Sequence, residues 1–229
     1  MDLRARQMAE RRERILAAAR EIVAEQGTAG LSMRELARKS RVTVPTVYNL
    51  VGGKDAVLIA AVEEQTARFV AGIEETRGAG PVDRILSVHE SCVRELMRLP
   101  RYYRTFLRLL AASDAAEPTR ARVARALSTE LARGVEALRG AGALADWVEP
   151  AALVALLHRN LEVVSLQWAS EELDDARLRA TALYGACCVL AGVCAGAARE
   201  DFATRAAALQ RAASSTRATS RAATRRRRG

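Results

Sequence analysis

Helix breakers are few in this chain, and they come in clusters. Five prolines and fourteen glycines are spread over 229 residues. Most mark short joints: Gly27, Gly52 and Gly53, Gly78, Gly80 and Pro81, Pro100, Pro118, Gly140 and Gly142, and Pro150. Between the joints alanine is abundant, β-branched runs are rare, and apolar residues return every three or four positions. That is the period of a helix buried on one face, and no segment alternates as a strand does. The expected fold class is all-α. Half of the residues are hydrophobic, enough for a sizeable core, which excludes a disordered chain and a disulfide-stapled miniprotein.

The joints divide the chain into segments. Helical spacing runs from about residue 10 to 26, with Ile15, Ala18, Ala19, Ile22 and Val23 on one face and Gly27 as the stop. Ser32 followed by Glu35 has the form of a capping box, in which hydroxyl and carboxylate each satisfy a free backbone N–H, so a short helix is expected at about 33–39. Thr43 can cap a third helix, with Pro45 in its first turn where the missing N–H costs nothing, ending at about Leu50. A long helix starts at Lys54. Five more follow at roughly 81–98, 100–112, 118–139, 149–171 and 174–199. The expected domains are a head at 10–64, a body at 65–202 and a basic, unstructured tail at 203–229, in which Ala206 to Ala213 could extend a helix.

Charge supports a polyanion partner. The formal net charge is +9 and is unevenly spread: residues 1–53 carry ten cations and six anions, 54–202 carry eighteen and twenty-one, and 203–229 carry eight and none. A mildly acidic body thus lies between two basic ends. Met1 to Arg14 is charged throughout and lacks the apolar core of a signal peptide, so a cytoplasmic protein is expected. Cys92, Cys187, Cys188 and Cys194 form no Cys-x-x-Cys pair and read as buried thiols.

Two short helices joined by a turn, the second with small polar residues and one aromatic, make a helix-turn-helix candidate. The spaced set Ile15, Ala18, Ala19, Ile22, Gly27, Ser32-Met33-Arg34-Glu35-Leu36-Ala37, Val42-Thr43, Val47-Tyr48 and Lys54-Asp55-Ala56-Val57-Leu58 resembles the DNA-binding head of TetR-type transcriptional regulators. The resemblance covers about residues 10–64. It implies an all-α homodimer whose third helix enters the major groove and whose body binds a small-molecule effector. By the family pattern Thr43, Thr46, Tyr48 and Lys54 contact phosphates, and Val44, Pro45 and Asn49 face bases. Hydroxyls and an ammonium suit phosphates, whereas methyls and a carboxamide suit thymine and adenine edges. Arg34 is a further candidate for either. Val47 and Leu36 are assigned to the core. Where the family commonly has glycine in the turn, this chain has Arg41, which must take the left-handed conformation or reshape the turn.

In the body, the stretch Ala180–Ala198 holds nineteen residues without charge, long enough to span a membrane. It is Ala, Gly and Cys with few Leu, so a helix packed closely on another helix is the better reading. Together with the largely apolar segment 149–171 it suits a four-helix dimer bundle, with Leu157, Val164, Cys188, Gly192 and Gly196 as interface candidates. Polar and aromatic groups among apolar neighbours, His89, Cys92, Tyr103, Phe106, His158 and Asn160, are candidates for the effector pocket. His89 and Cys92 have tolerable metal-ligand spacing but no evident further ligands, so no metal and no cofactor are expected. Two histidines, no paired catalytic string and no glycine-rich phosphate loop give no support to catalysis.

These readings converge on a ligand-responsive repressor that binds a palindromic operator as a homodimer, with no membrane partner. Two rivals remain open at this point. One is a helical carrier or enzyme with a vestigial DNA-binding head; the other is a nucleic-acid compacting protein driven by its basic ends.

Overall fold

The computed structural model describes residues 3–74, 80–113 and 116–226. Among the described residues there are ten helices and no strand, with a single isolated β-bridge between Leu144 and Cys194. The all-α expectation holds. The chain divides into two compact units, Met1–Phe69 with Arg98–Val123, and Val70–Met97 with Ala124–Gly229.

The first unit is built on α1 (Leu3–Gly30), α2 (Met33–Ser40), α3 (Val44–Leu50), the start of α4 (Lys54–Glu74) and α6 (Pro100–Ala112). Helical geometry in α1 breaks at Gly27, with φ 69° and ψ −175°, where the sequence places its stop. The apolar stripe Ile15, Ala18, Ala19, Ile22 and Val23 is buried, and Leu31, Leu36, Val47 and Val57 complete the same core. Fully burying each of the larger of these side chains contributes roughly 1.5–3 kcal/mol. Helix α6, expected in the body, belongs to this unit: it packs on α1, and the Tyr102 hydroxyl donates to the Ala61 carbonyl of α4 at 3.5 Å.

The second unit comprises α5 (Pro81–Arg98), most of α7 (Glu117–Gly140), α8 (Pro150–Ala169), α9 (Asp175–Val193) and α10 (Gly196–Arg226). Asp174 caps α9 by accepting from the Arg177 N–H at 2.9 Å, and Glu149 caps α8 by accepting from Ala151 and Ala152. Helix α9 lies against α8 on one side and α10 on the other, burying Leu178, Ala182, Leu183, Ala186, Cys187 and Leu190.

Two expectations are corrected here. The uncharged run Ala180–Ala198 is not one helix. It turns a corner after Cys194, where Gly196 takes φ +55°, and the loop before α8 pins that corner through Ala145 N–H to Val193 carbonyl and Ala195 N–H to Ala143 carbonyl bonds of 3.0 and 2.8 Å. By length and composition α9 alone could still cross a membrane. The residues from Ala203, expected as an unstructured tail, continue α10 to Arg226. The physical reason lies at the start of α10: Phe202 is fully buried and Ala206 nearly so, which anchors a helix that alanine and arginine then propagate.

Candidate nucleic-acid interface

The turn between α2 and α3 is set by its caps. Ser32 accepts from the Glu35 N–H at 3.1 Å. The reciprocal half of the expected capping box is missing, because the Glu35 carboxylate turns to Arg38 instead, 2.9 Å from its Nε. That hydrogen bond holds the Glu35 carboxyl below the usual range. Helix α2 ends in a Schellman arrangement, with the Val42 N–H reaching back to the Ala37 carbonyl at 3.0 Å and Arg41 in the left-handed region at φ 56°, ψ 46°. Arg41 therefore takes the conformation that the absence of glycine made costly.

Thr43 then caps α3. Its Oγ1 accepts from the Thr46 N–H at 3.3 Å and lies 2.7 Å from the Thr46 hydroxyl. Pro45 stands in the first turn. Only Val47 of α3 is buried, and it is the peg that holds this short helix to the core. Pro45, Tyr48 and Asn49 are exposed, with Val44 and Thr46 half-buried. Tyr48 is 53 % exposed, so its ring does not pack into the head. Lys54, at the start of α4, is exposed, as are Arg34 and Arg41. Arg34 makes no ion pair among the described residues. Lys39, by contrast, is committed to α1: its Nζ lies 3.1 Å from Glu21 and 3.6 Å from Glu25, and the Glu21 hydrogen bond raises its pKa. The eight DNA-contact candidates thus lie on α2, α3, their turn and the start of α4, with their polar groups accessible, while Leu36 and Val47 are core as assigned.

The expected effector-pocket residues are divided between the two units. Tyr103 and Phe106 sit in the first, in an aromatic cluster with Tyr102 at centroid distances of 5.3 to 6.4 Å. The space that Phe106 lines with Ala19, Val23, Leu58 and Ala61 is about 10 Å³, no more than a water needs. Both rings are buried in the first unit. In the second unit Asn160 is a clamp rather than a ligand group: its Nδ2 donates to the Ala182 carbonyl at 3.1 Å. A Cβ at Gly185 would lie 2.1 Å from its Oδ1, so Gly185 is what lets α9 approach α8.

His89 is completely buried. Its Nδ1 lies 3.1 Å from the Ile85 carbonyl, Nε2 has no hydrogen-bond partner among the described residues, and burial lowers its pKa. His158 is half-buried, 3.3 Å from Ser128 Oγ through Nδ1, and burial lowers its pKa too. Burial pushes the Cys92 thiol up to about 12.

The interface candidates are corrected in part. Leu157 and Val164 face this chain's own core, whereas Gly196 is exposed at the α9–α10 corner. The exposed large hydrophobic residues of α8 are Leu156 and Val163, at 49 % and 47 %. Cys188 and Gly192 are exposed on α9, so Cys188 is not the buried thiol its neighbours are. Glu130 escaped the reading of the sequence: it is a carboxylate 1 % exposed that pairs with Arg133 and lies 3.6 Å from Arg84 of α5. The signal was present: Leu127, Leu131, Val135 and Leu138 are buried on α7, and Glu130 falls in that stripe at helical spacing.

A head of three short-looped helices around a small core, with the third presenting its polar face outward, defines a helix-turn-helix DNA-binding unit. Residues 15–61 match the family of bacterial regulatory proteins, tetR family. Solved structures with the same fold include a TetR transcription regulator from Haloarcula marismortui, 16 % identical, covering 82 % of this chain and all of that one at TM-score 0.69. SmeT, the repressor of the Stenotrophomonas maltophilia multidrug efflux pump SmeDEF, is 23 % identical over 82 % of this chain and 92 % of its own, TM-score 0.61, and also occurs as a triclosan complex. The transcriptional regulator FadR from Bacillus subtilis in complex with stearoyl-CoA is 16 % identical over 79 % of this chain and 98 % of its own, TM-score 0.63. A comparison with curated proteins finds no match. The head, over residues 15–61, thus matches the tetR family of bacterial regulatory proteins, and the chain shares the fold of solved TetR-type regulators along most of its length.

Proposed function

We propose that this chain is a sequence-specific, DNA-binding transcriptional regulator that acts as a homodimer in the cytoplasm and is released from a palindromic operator by a small molecule. The observation that carries the reading is the face of α3. Val47 alone is buried, while Pro45, Tyr48 and Asn49 are exposed beside the capping pair Thr43 and Thr46. Thr43, Thr46, Tyr48 and Lys54 position the head on phosphates, Val44, Pro45 and Asn49 read base edges, and Arg34 serves one or the other.

The exposed apolar residues of α8, Leu156 and Val163, with Cys188 and Gly192 on α9, form the surface through which two copies pair. Large apolar side chains exposed on a helix cost water contact that a partner relieves. Two-fold pairing sets recognition helices about 34–36 Å apart, one helical turn of DNA. The effector belongs to the second unit. An open groove of about 500 Å³ among α5, α9 and α10 offers Leu86, Leu183 and Cys187 as its lining, with Glu90 and Arg179 paired across it, a size and mix that suits a small organic molecule. The ligands in the SmeT and FadR structures support a small-molecule partner in general without indicating which.

Operator affinity falls on effector binding only if the effector prefers a conformation that binds DNA less well, and the coupling is reciprocal. Footprinting on DNA upstream of candidate genes tests the reading. The expected result is a protected two-fold site with half-sites about one helical turn apart; protection without symmetry or sequence preference contradicts it and favours the compacting rival.

A further inference from the structure

We propose that the chain beyond the packed part of α10 is a second DNA contact, which grips duplex phosphates without reading sequence. This rests on the reading of duplex DNA as the partner. The first turns of α10 are structural: Phe202 is buried, and Arg205 bridges Asp201 at 3.0 Å and Asp83 of α5 at 3.1 Å. The helix continues to Arg226, yet from Gln210 onward the sequence has no apolar residue larger than alanine, no aromatic residue and no acid, and it has seven arginines. Burial therefore has nothing to gain there.

Arg217, Arg221 and Arg225 recur every fourth residue, a spacing at which like charges oppose the helix that the backbone forms. An anionic partner removes that opposition. Arginine donates in a planar fork that matches phosphate oxygens. A single-stranded partner would call for aromatic stacking platforms, and a membrane for large apolar side chains opposite the basic ones; this segment has neither. The two poles of charge on the chain then act differently, the head selecting a site and the α10 extension raising affinity for any duplex, with a strong dependence on salt.

The test uses the full-length protein and a variant with Arg217→Gln, Arg221→Gln, Arg225→Gln, Arg226→Gln, Arg227→Gln and Arg228→Gln, on a random-sequence duplex between about 50 and 200 mM salt. Every phosphate that the protein no longer neutralises lowers the slope of log affinity against log salt by about 0.9. The unsubstituted protein is expected to lose on the order of 10³-fold more affinity than the variant across that range. The corresponding six Arg→Lys changes are expected to keep the steep slope. Slopes that agree to within one phosphate overturn the proposal, and so does a tail-dependent attachment to phosphatidylglycerol vesicles with equal duplex slopes. Loss of operator selection with the slope difference intact would contradict the regulator reading alone. Intact selection with equal slopes would contradict the tail's grip on DNA alone.

Discussion

The hydroxyls of Thr43 and Thr46 lie 2.7 Å apart across the first turn of α3, and Thr43 also accepts the Thr46 N–H. One residue thus caps α3 and holds the Thr46 hydroxyl beside its own. Thr43→Ala is expected to cost about 1 kcal/mol of stability through the lost cap and to weaken operator binding further. Thr46→Val, which keeps the cap acceptor, is expected to weaken binding with a much smaller change in melting temperature. Calorimetry and titration with operator DNA on the same samples check the pair.

Arg41 occupies the left-handed region without being glycine. Arg41→Gly is expected to stabilise the head by roughly 1 kcal/mol, because the steric cost of Cβ at that conformation disappears. If the Arg41 guanidinium touches a phosphate, the same change lowers DNA affinity and flattens its salt dependence by about one phosphate. Opposite signs for stability and affinity are the expected signature.

His89 makes stability depend on pH. Its pKa in the folded chain lies below the unfolded value because burial disfavours the imidazolium, so the folded state binds fewer protons. Stability is complete above about pH 6.5, the ordinary histidine value, and falls as pH drops below it. His158, whose pKa burial also lowers, contributes with the same sign. Melting temperatures between pH 7.5 and 5.5 are expected to fall less in His89→Leu than in the unsubstituted protein.

Glu130 is the buried charge on which α5 and α7 meet. Glu130→Ala leaves the partly exposed Arg84 and Arg133 without their shared carboxylate and is expected to cost about 1–3 kcal/mol. Arg133→Ala, at a residue half-exposed, is expected to cost no more than about 1 kcal/mol. Denaturant unfolding of both variants checks the order.

Leu156 and Leu157 are neighbours with opposite roles. Leu157→Ala is expected to lower stability by about 2–5 kcal/mol, as for a fully buried leucine. Leu156→Glu with Val163→Glu is expected to leave the fold intact and shift the protein toward monomers in sedimentation experiments.

Much of this was legible in the sequence because periodicity and caps are local. Gly27, Ser32, Thr43 and Pro45 each do what their chemistry predicts, and the exposed face of α3 follows from one buried valine. What was not legible depends on which face of an amphipathic helix meets which neighbour. Leu157 and Leu156 are equally apolar, and only the packing of α8 in the fold separates core from surface. Asn160 reads as a pocket group until Gly185 brings the Ala182 carbonyl to it. Tyr103 and Phe106 read as body residues because α6 follows α5 in sequence, whereas in the fold α6 packs on α1. The corner after Cys194 is set by bonds to Ala143 and Ala145, some fifty residues away in sequence, which no local pattern carries.

If the α3 face reads a DNA sequence, that sequence can be recovered from random duplex DNA by selection with the full-length protein. At about 150 mM salt, screening near 8 Å weakens purely electrostatic attraction. Enrichment of one palindrome is expected, with a changed or relaxed preference at one position of each half-site when Asn49→Ala is selected in parallel. A folded protein that enriches no sequence, or an Asn49→Ala variant that enriches the same palindrome with equal strength, would contradict reading by α3.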